Sequence, residues 1–146
     1  MRIERWMKHP VVSVKRQDSA QHAREEMEKH RINQLPVVTD GRLVGIITDR
    51  DLRDAFPSVF DSALSSGRRQ GRPGTDPARI RVEDVMTSNV LTLTPDALLP
   101  DAARLMRRER IGAIPIVDDG RLVGILTRSD VLDAFVELSQ SALTMG

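Results

Sequence analysis

The chain repeats itself. Shifted forward by 79 positions, residues 3–56 fall on 82–135 without a gap. The densest match sets LPVVTDGRLVGIITDRDLRDAF (35–56) against IPIVDDGRLVGILTRSDVLDAF (114–135). Met7/Met86, Val11/Val90, Ala23/Ala102, Met27/Met106 and Arg31-Ile32/Arg110-Ile111 carry the register towards the N-terminus. A repeat of this kind constrains the fold more than any composition does, because each copy is one supersecondary unit that buries its apolar face against its neighbour. At 146 residues the chain is near the size of one compact domain, and either half alone would hold a marginal core. Two units of about 54 residues, packed as a pseudo-symmetric pair, are therefore expected. The seam between them is the natural place for a ligand.

Within one copy the pattern reads strand, helix, strand, strand, helix. Val11-Val12-Ser13-Val14 is a short β-branched run, and residues 90–93 are its copy. Asp18 or Ser19 can cap the following helix, where Ala20, Ala23, Met27 and Ile32 recur near helical spacing. In the second copy Ala102, Leu105 and Met106 form the stripe, and Pro100 falls in the first turn, where a missing N–H is tolerated. Two apolar runs then flank Asp40-Gly41 and Asp119-Gly120, a hairpin signal because both central turn positions require positive φ. Residues 43–47 and 122–126 are the return strands, and each final helix opens just after Thr48 or Thr127. The fold class is thus α+β: two pseudo-symmetric strand–helix–strand–strand–helix units packed through their sheets. The boundaries are 1–57, a spacer at 58–80, and 81–146 with a helical tail.

The spacer differs in character. Residues 65–74 are rich in Ser, Gly, Pro and Arg and carry no apolar periodicity, so a mobile loop is expected, with a short helical piece near 59–64. Its Arg68, Arg69 and Arg72 leave a nucleic-acid reading as the weaker alternative to a solvated linker. The net charge of +1 adds no global argument for it. No apolar run reaches membrane-spanning length, and the N-terminus lacks the apolar core of a signal peptide. With no cysteine, disulfides and thiol catalysis are excluded, and a cytoplasmic location is the default expectation.

The chemistry lies in Gly45-Ile46-Ile47-Thr48-Asp49-Arg50-Asp51 and Gly124-Ile125-Leu126-Thr127-Arg128-Ser129-Asp130. The shared pattern is Gly, two apolar residues, Thr, two variable residues, Asp. The glycine permits close backbone approach. The threonine caps the helix, with the aspartate three residues on in a capping-box arrangement. An aspartate there can also accept a pair of ribose hydroxyls, with phosphate near the same N–H groups. A capped helix after a strand, with no ligand, reads equally well from one such heptad alone.

Taken together, the tandem units and their G-h-h-T-x-x-D endings (h, apolar) resemble a free-standing pair of CBS domains, or Bateman module, of bacterial type. Val85-Met86-Thr87, its weaker copy Trp6-Met7-Lys8, residues 30–38 and the Gly-Arg-Leu-Val-Gly runs after each turn share that likeness. The resemblance implies a regulatory module that binds AMP, ADP or ATP in clefts between the units. It implies one cleft joining Thr48 and Asp51 to Ile111, Gly112 and Ala113, with Thr92 nearby. The other would join Thr127 and Asp130 to Ile32, Asn33 and Gln34, with Val12 and Ser13 nearby. Phosphate charge would fall to Arg50, Arg53, Arg128, Arg16 or a spacer arginine. Because Arg50 is matched by Ser129, the clefts are chemically unequal, which implies one high-affinity site or a less charged ligand such as S-adenosylmethionine. Homodimerisation and an unidentified regulated protein are further implications, with a ligand-free protein–protein adaptor as the alternative.

Catalysis finds no machinery. His9, His22 and His30 face Ser88, Asp101 and Glu109 in the other copy, without metal-ligand spacing, and no P-loop, G-x-G-x-x-G or G-x-S-x-G motif is present. Neither a catalytic residue, a metal nor a catalytic cofactor is expected. Trp6, matched by Val85, reads as a core or dimer contact before an adenine platform, and Met27 and Met106 as core filler.

Overall fold

In the computed structural model, which describes residues 1–56 and 76–145, both Asp-Gly pairs make tight hairpin turns. Asp40 and Gly41 sit at φ 51° and 81°, and Asp119 and Gly120 at 55° and 80°. Left-handed backbone at both central positions matches the twist of the flanking strands. The turns join β2 (Gln34–Thr39) to β3 (Arg42–Thr48) and β4 (Ala113–Asp118) to β5 (Arg121–Thr127). Both hairpins share one register: Gln34 pairs with Thr48 and Ala113 with Thr127, each with an irregularity after the fourth pair from the open end, at Val37/Val38 and Ile116/Val117.

The leading strands are shorter than the β-branched runs suggest. Only Val14–Lys15 forms β1, parallel to β2. In the second copy Leu93 makes a single parallel bridge to Ile116. Pro95 follows within two residues and has no N–H to extend a ladder.

Helix α1 spans Ala20–His30, α2 Asp49–Ala55, α3 Leu99–Glu109 and α4 Arg128–Met145. Of the two capping candidates before α1, Ser19 takes the role: its hydroxyl accepts from the His22 N–H at 3.0 Å. The matching position before α3 is Leu98, which offers no side-chain cap, and Pro100 lies in the first turn. Arg31 and Arg110, both at positive φ, end α1 and α3. The tail continues α4 well beyond Phe135. The expected spacer loop, its helical piece and Arg68, Arg69 and Arg72 lie outside the described residues.

The chain condenses into two compact units. The first spans residues 12–90, and the second joins residues 1–11 to 91–146. Each repeat's leading arm is thus built into the unit that holds the other repeat's hairpin. In the second unit Lys8 and Ile125 exchange backbone hydrogen bonds of 2.9 and 3.0 Å; in the first, Thr87 and Ile46 do so at 2.8 and 2.9 Å. The core of the first unit includes Val14, Ala23, Met27, Leu35, Val37, Ile47, Leu52 and Val82. That of the second includes Ile3, Ala102, Met106, Ile114, Ile116, Leu126 and Ala134, with Trp6 and Met7 packed against it. The matched methionines are both buried, and Trp6 serves the core with Arg5 over its ring.

Candidate functional site

Each hairpin delivers its motif to the first turn of a helix. In the first unit the capping box closes in both directions: the Asp51 N–H donates to Thr48 Oγ1 and the Thr48 N–H to Asp51 Oδ2, both at 3.0 Å. Two backbone donors that helix geometry would leave unpaired are satisfied in this way. Asp51 spends one oxygen on the cap. Among the described residues its other oxygen, Oδ1, has no hydrogen-bond or ion-pair partner.

The second unit repeats the cap with a different ending. Asp130 Oδ2 accepts from the Thr127 N–H at 2.7 Å and from the Thr127 hydroxyl at 3.0 Å, and the Asp130 N–H reaches back to Thr127 Oγ1 at 3.4 Å. Here the second oxygen is taken: Asp130 Oδ1 is paired with the Lys8 ammonium. The Asp130 side chain is only 5% exposed, so its charge is held by donors on both oxygens. In the sequence Lys8 stands out only as a weak match to Thr87. Its position was nevertheless legible, since the same offset that pairs Asp51 with Asp130 pairs Thr87 with Lys8.

The motif glycines do what close approach requires. A Cβ on Gly45 would stand 2.6 Å from Met86 Sδ and 2.9 Å from the Thr87 carbonyl oxygen. One on Gly124 would meet Met7 Cγ at 2.9 Å and the Lys8 carbonyl oxygen at 3.2 Å. The two arms lie against their strands because no side chain intervenes.

Other expected site residues gather around the caps by strand pairing. In the first unit the Asp49 N–H donates to the Asn33 carbonyl at 2.8 Å, and Gln34 lies opposite Thr48. Ile32 packs against the core there, as does Val12, and Ser13 immediately precedes β1. In the second unit the Arg128 N–H donates to the Gly112 carbonyl at 3.1 Å, with Ala113 opposite Thr127. Ile111 packs on that core, Thr92 precedes the Leu93 bridge, and the Arg128 guanidinium lies over Gly112. Thr48 and Asp51 belong to the first unit and residues 111–113 to the second, while Thr127 and Asp130 belong to the second and residues 32–34 to the first.

The arginines are deployed unevenly. Arg50 is 84% exposed and stands 3.9 Å from Asp54. Asp49 is a structural acid, bonded to Arg24 at 2.8 Å and Arg53 at 3.0 Å. The matching positions of the second unit, Ala103, Arg128 and Leu132, make no such network. They line an open groove of about 500 Å³ with Met106, Arg107, Arg110 and Val131. Among the described residues no group of three His, Asp or Glu side chains converges on a metal-sized site, and no helix is long and apolar enough to cross a membrane.

Comparison with known proteins agrees with this doubled site. The family model of the CBS domain matches twice, at residues 3–58 and 82–137. A CBS domain-containing protein of Dictyostelium discoideum is 33% identical over 93% of this chain and 92% of its own length. Among solved structures, CBSX2 in complex with AMP is similar at TM-score 0.76 and 30% identity, covering 94% of this chain and 98% of that one. The CBS domain pair of protein MJ0100, in complex with 5′-methylthioadenosine and S-adenosyl-L-methionine, is similar at TM-score 0.73 and 29% identity, covering 94% and 97%.

Proposed function

Because this chain belongs to the CBS domain family, we propose that it is a regulatory module that binds an adenosine-containing ligand and acts on a separate partner. The observation that carries this reading is the unspent oxygen of Asp51. A carboxylate fixed by its own capping box, with Oδ1 unbonded among the described residues, is a preorganised acceptor for a ribose hydroxyl. Two solved relatives hold AMP or S-adenosyl-L-methionine, ligands that share the adenosine moiety. AMP, ADP and ATP are the ligands we favour, with S-adenosylmethionine as the less charged candidate. The residues we assign to ligand binding are Thr48, Asp51, Ile32, Asn33, Gln34, Val12 and Ser13 in the first unit, and Thr127, Asp130, Ile111, Gly112, Ala113 and Thr92 in the second. Arg50 and Arg128 are the cations nearest in sequence to each pair.

The module works by population shift. A ligand shifts the module between two conformations only to the extent that it binds them with different affinity. No residue is assigned a catalytic role, and the site of action is the cytoplasm. The output surface is α4, which leaves Leu132, Phe135 and Leu143 at 63%, 67% and 81% exposure. Such a face suits a second copy of the chain or a regulated protein. The same face is what favours the second reading, an adaptor that needs no ligand.

Calorimetric titration of nucleotide-free protein with AMP, ADP, ATP and S-adenosylmethionine separates the two. The expected result is saturable binding that Asp51→Ala weakens at least tenfold, the loss of one hydrogen bond to a charged group. Failure of all four ligands to bind folded protein leaves the adaptor.

A further inference from the structure

The two Thr–Asp pairs differ in one respect that their sequences conceal. Among the described residues Asp51 Oδ1 has no partner, whereas both oxygens of Asp130 are occupied, one of them by Lys8. Lys8 comes from the leading arm, whose backbone is fixed to Ile125 on β5. Its counterpart, fixed in the same way to Ile46 on β3, is Thr87, which is exposed and has no bond to Asp51 among the described residues. In both units the arm makes the same pair of backbone bonds to its strand, and the Thr–Asp pair closes a cap at the start of the following helix. The difference between an open and an occupied acceptor is therefore the side chain at one matched position.

We infer that Lys8 is a built-in occupant of the second unit's ribose acceptor, so that only the Asp51 site is open to an adenosine ligand. This rests on the reading of Asp51 and Asp130 as ribose acceptors. A diol approaching Asp130 must displace an ammonium from a carboxylate that is 5% exposed, and a neutral hydroxyl is the weaker donor to a charged acceptor. Lys8 is itself 58% exposed, so it can swing into solvent and need not be unfolded to leave. The second site is thus a low-affinity site held in reserve, filled only when ligand is abundant enough to displace a tethered competitor. The inequality of the two acceptors comes from the arm, which sets Lys8 on Asp130.

The test is AMP titration of four proteins, with the bound equivalents counted. Wild type is expected to take one tight equivalent, which Asp51→Ala removes. Lys8→Thr, which copies the other arm, is expected to take two, the second gaining roughly tenfold or more in affinity over wild type. Thr87→Lys installs the same occupant beside Asp51 and is expected to lose the tight equivalent, and it keeps the inference testable if Lys8→Thr does not fold. Two equal equivalents in wild type, a second-site affinity unchanged or lowered by Lys8→Thr, or tight binding unaffected by Thr87→Lys would overturn the inference while leaving the ligand reading intact. No AMP, ADP, ATP or S-adenosylmethionine bound by any folded variant would remove the ligand reading, and the inference with it.

Discussion

Gly45 shows how much one missing side chain decides. Its position in the motif was legible from the sequence, and so was the need for a close backbone approach. The group that makes the approach was not, because Met7 and Met86 stand in equal register before two nearly equal strands. The structure puts Met86 and Thr87 over Gly45, so an added methyl must displace backbone as well as a flexible thioether. Gly45→Ala is expected to cost about 1–3 kcal/mol of stability, the range for overpacking a well-packed contact. Urea unfolding measures it, and no loss would mean that the arm is not held where the structure places it. Lys8 teaches the same lesson at the site. Asp51 and Asp130 look identical in sequence, and only the partner supplied by the arm tells them apart.

At the scale of elements, the hairpins were the most legible parts and the leading strands the least. Asp-Gly between apolar runs leaves one economical turn, and the observed φ values follow from it. The runs at residues 11–14 and 90–93 had strand composition, but a strand also needs a partner along its length, which β-propensity does not supply. Of these residues only Val14 enters a strand, β1, and only Leu93 makes a bridge. Helix starts were half legible, since the repeat hides a difference in their caps. Ser19 caps α1 through the His22 N–H, while Leu98, 48% exposed, holds the same position before α3 and caps nothing. Ser19→Ala is therefore expected to destabilise by about 1 kcal/mol, and Leu98→Ser to stabilise by about 0.5–1 kcal/mol. Thermal unfolding of the two variants checks the pair, and a destabilising Leu98→Ser would show that its side chain packs more than its exposure implies.

For the whole molecule, the repeat specified two units but not how the chain is divided between them. Sequence boundaries follow the copies, whereas the compact units join residues 1–11 to 91–146 and keep 82–90 with the first hairpin. Either arm could satisfy either strand, and the choice rests on long-range pairing that no local pattern encodes. This division matters for function because it brings Lys8 to Asp130 and Thr87 to the side of β3. A doubled sequence is thereby built into two unequal acceptors. The most direct test of that account is a crystal structure of the protein grown with AMP at a concentration that saturates its tight site. The account predicts AMP with a ribose hydroxyl on Asp51 Oδ1 and Lys8 still paired with Asp130. AMP bound away from both Thr–Asp pairs, or seated on Asp130 with Asp51 empty, would contradict it.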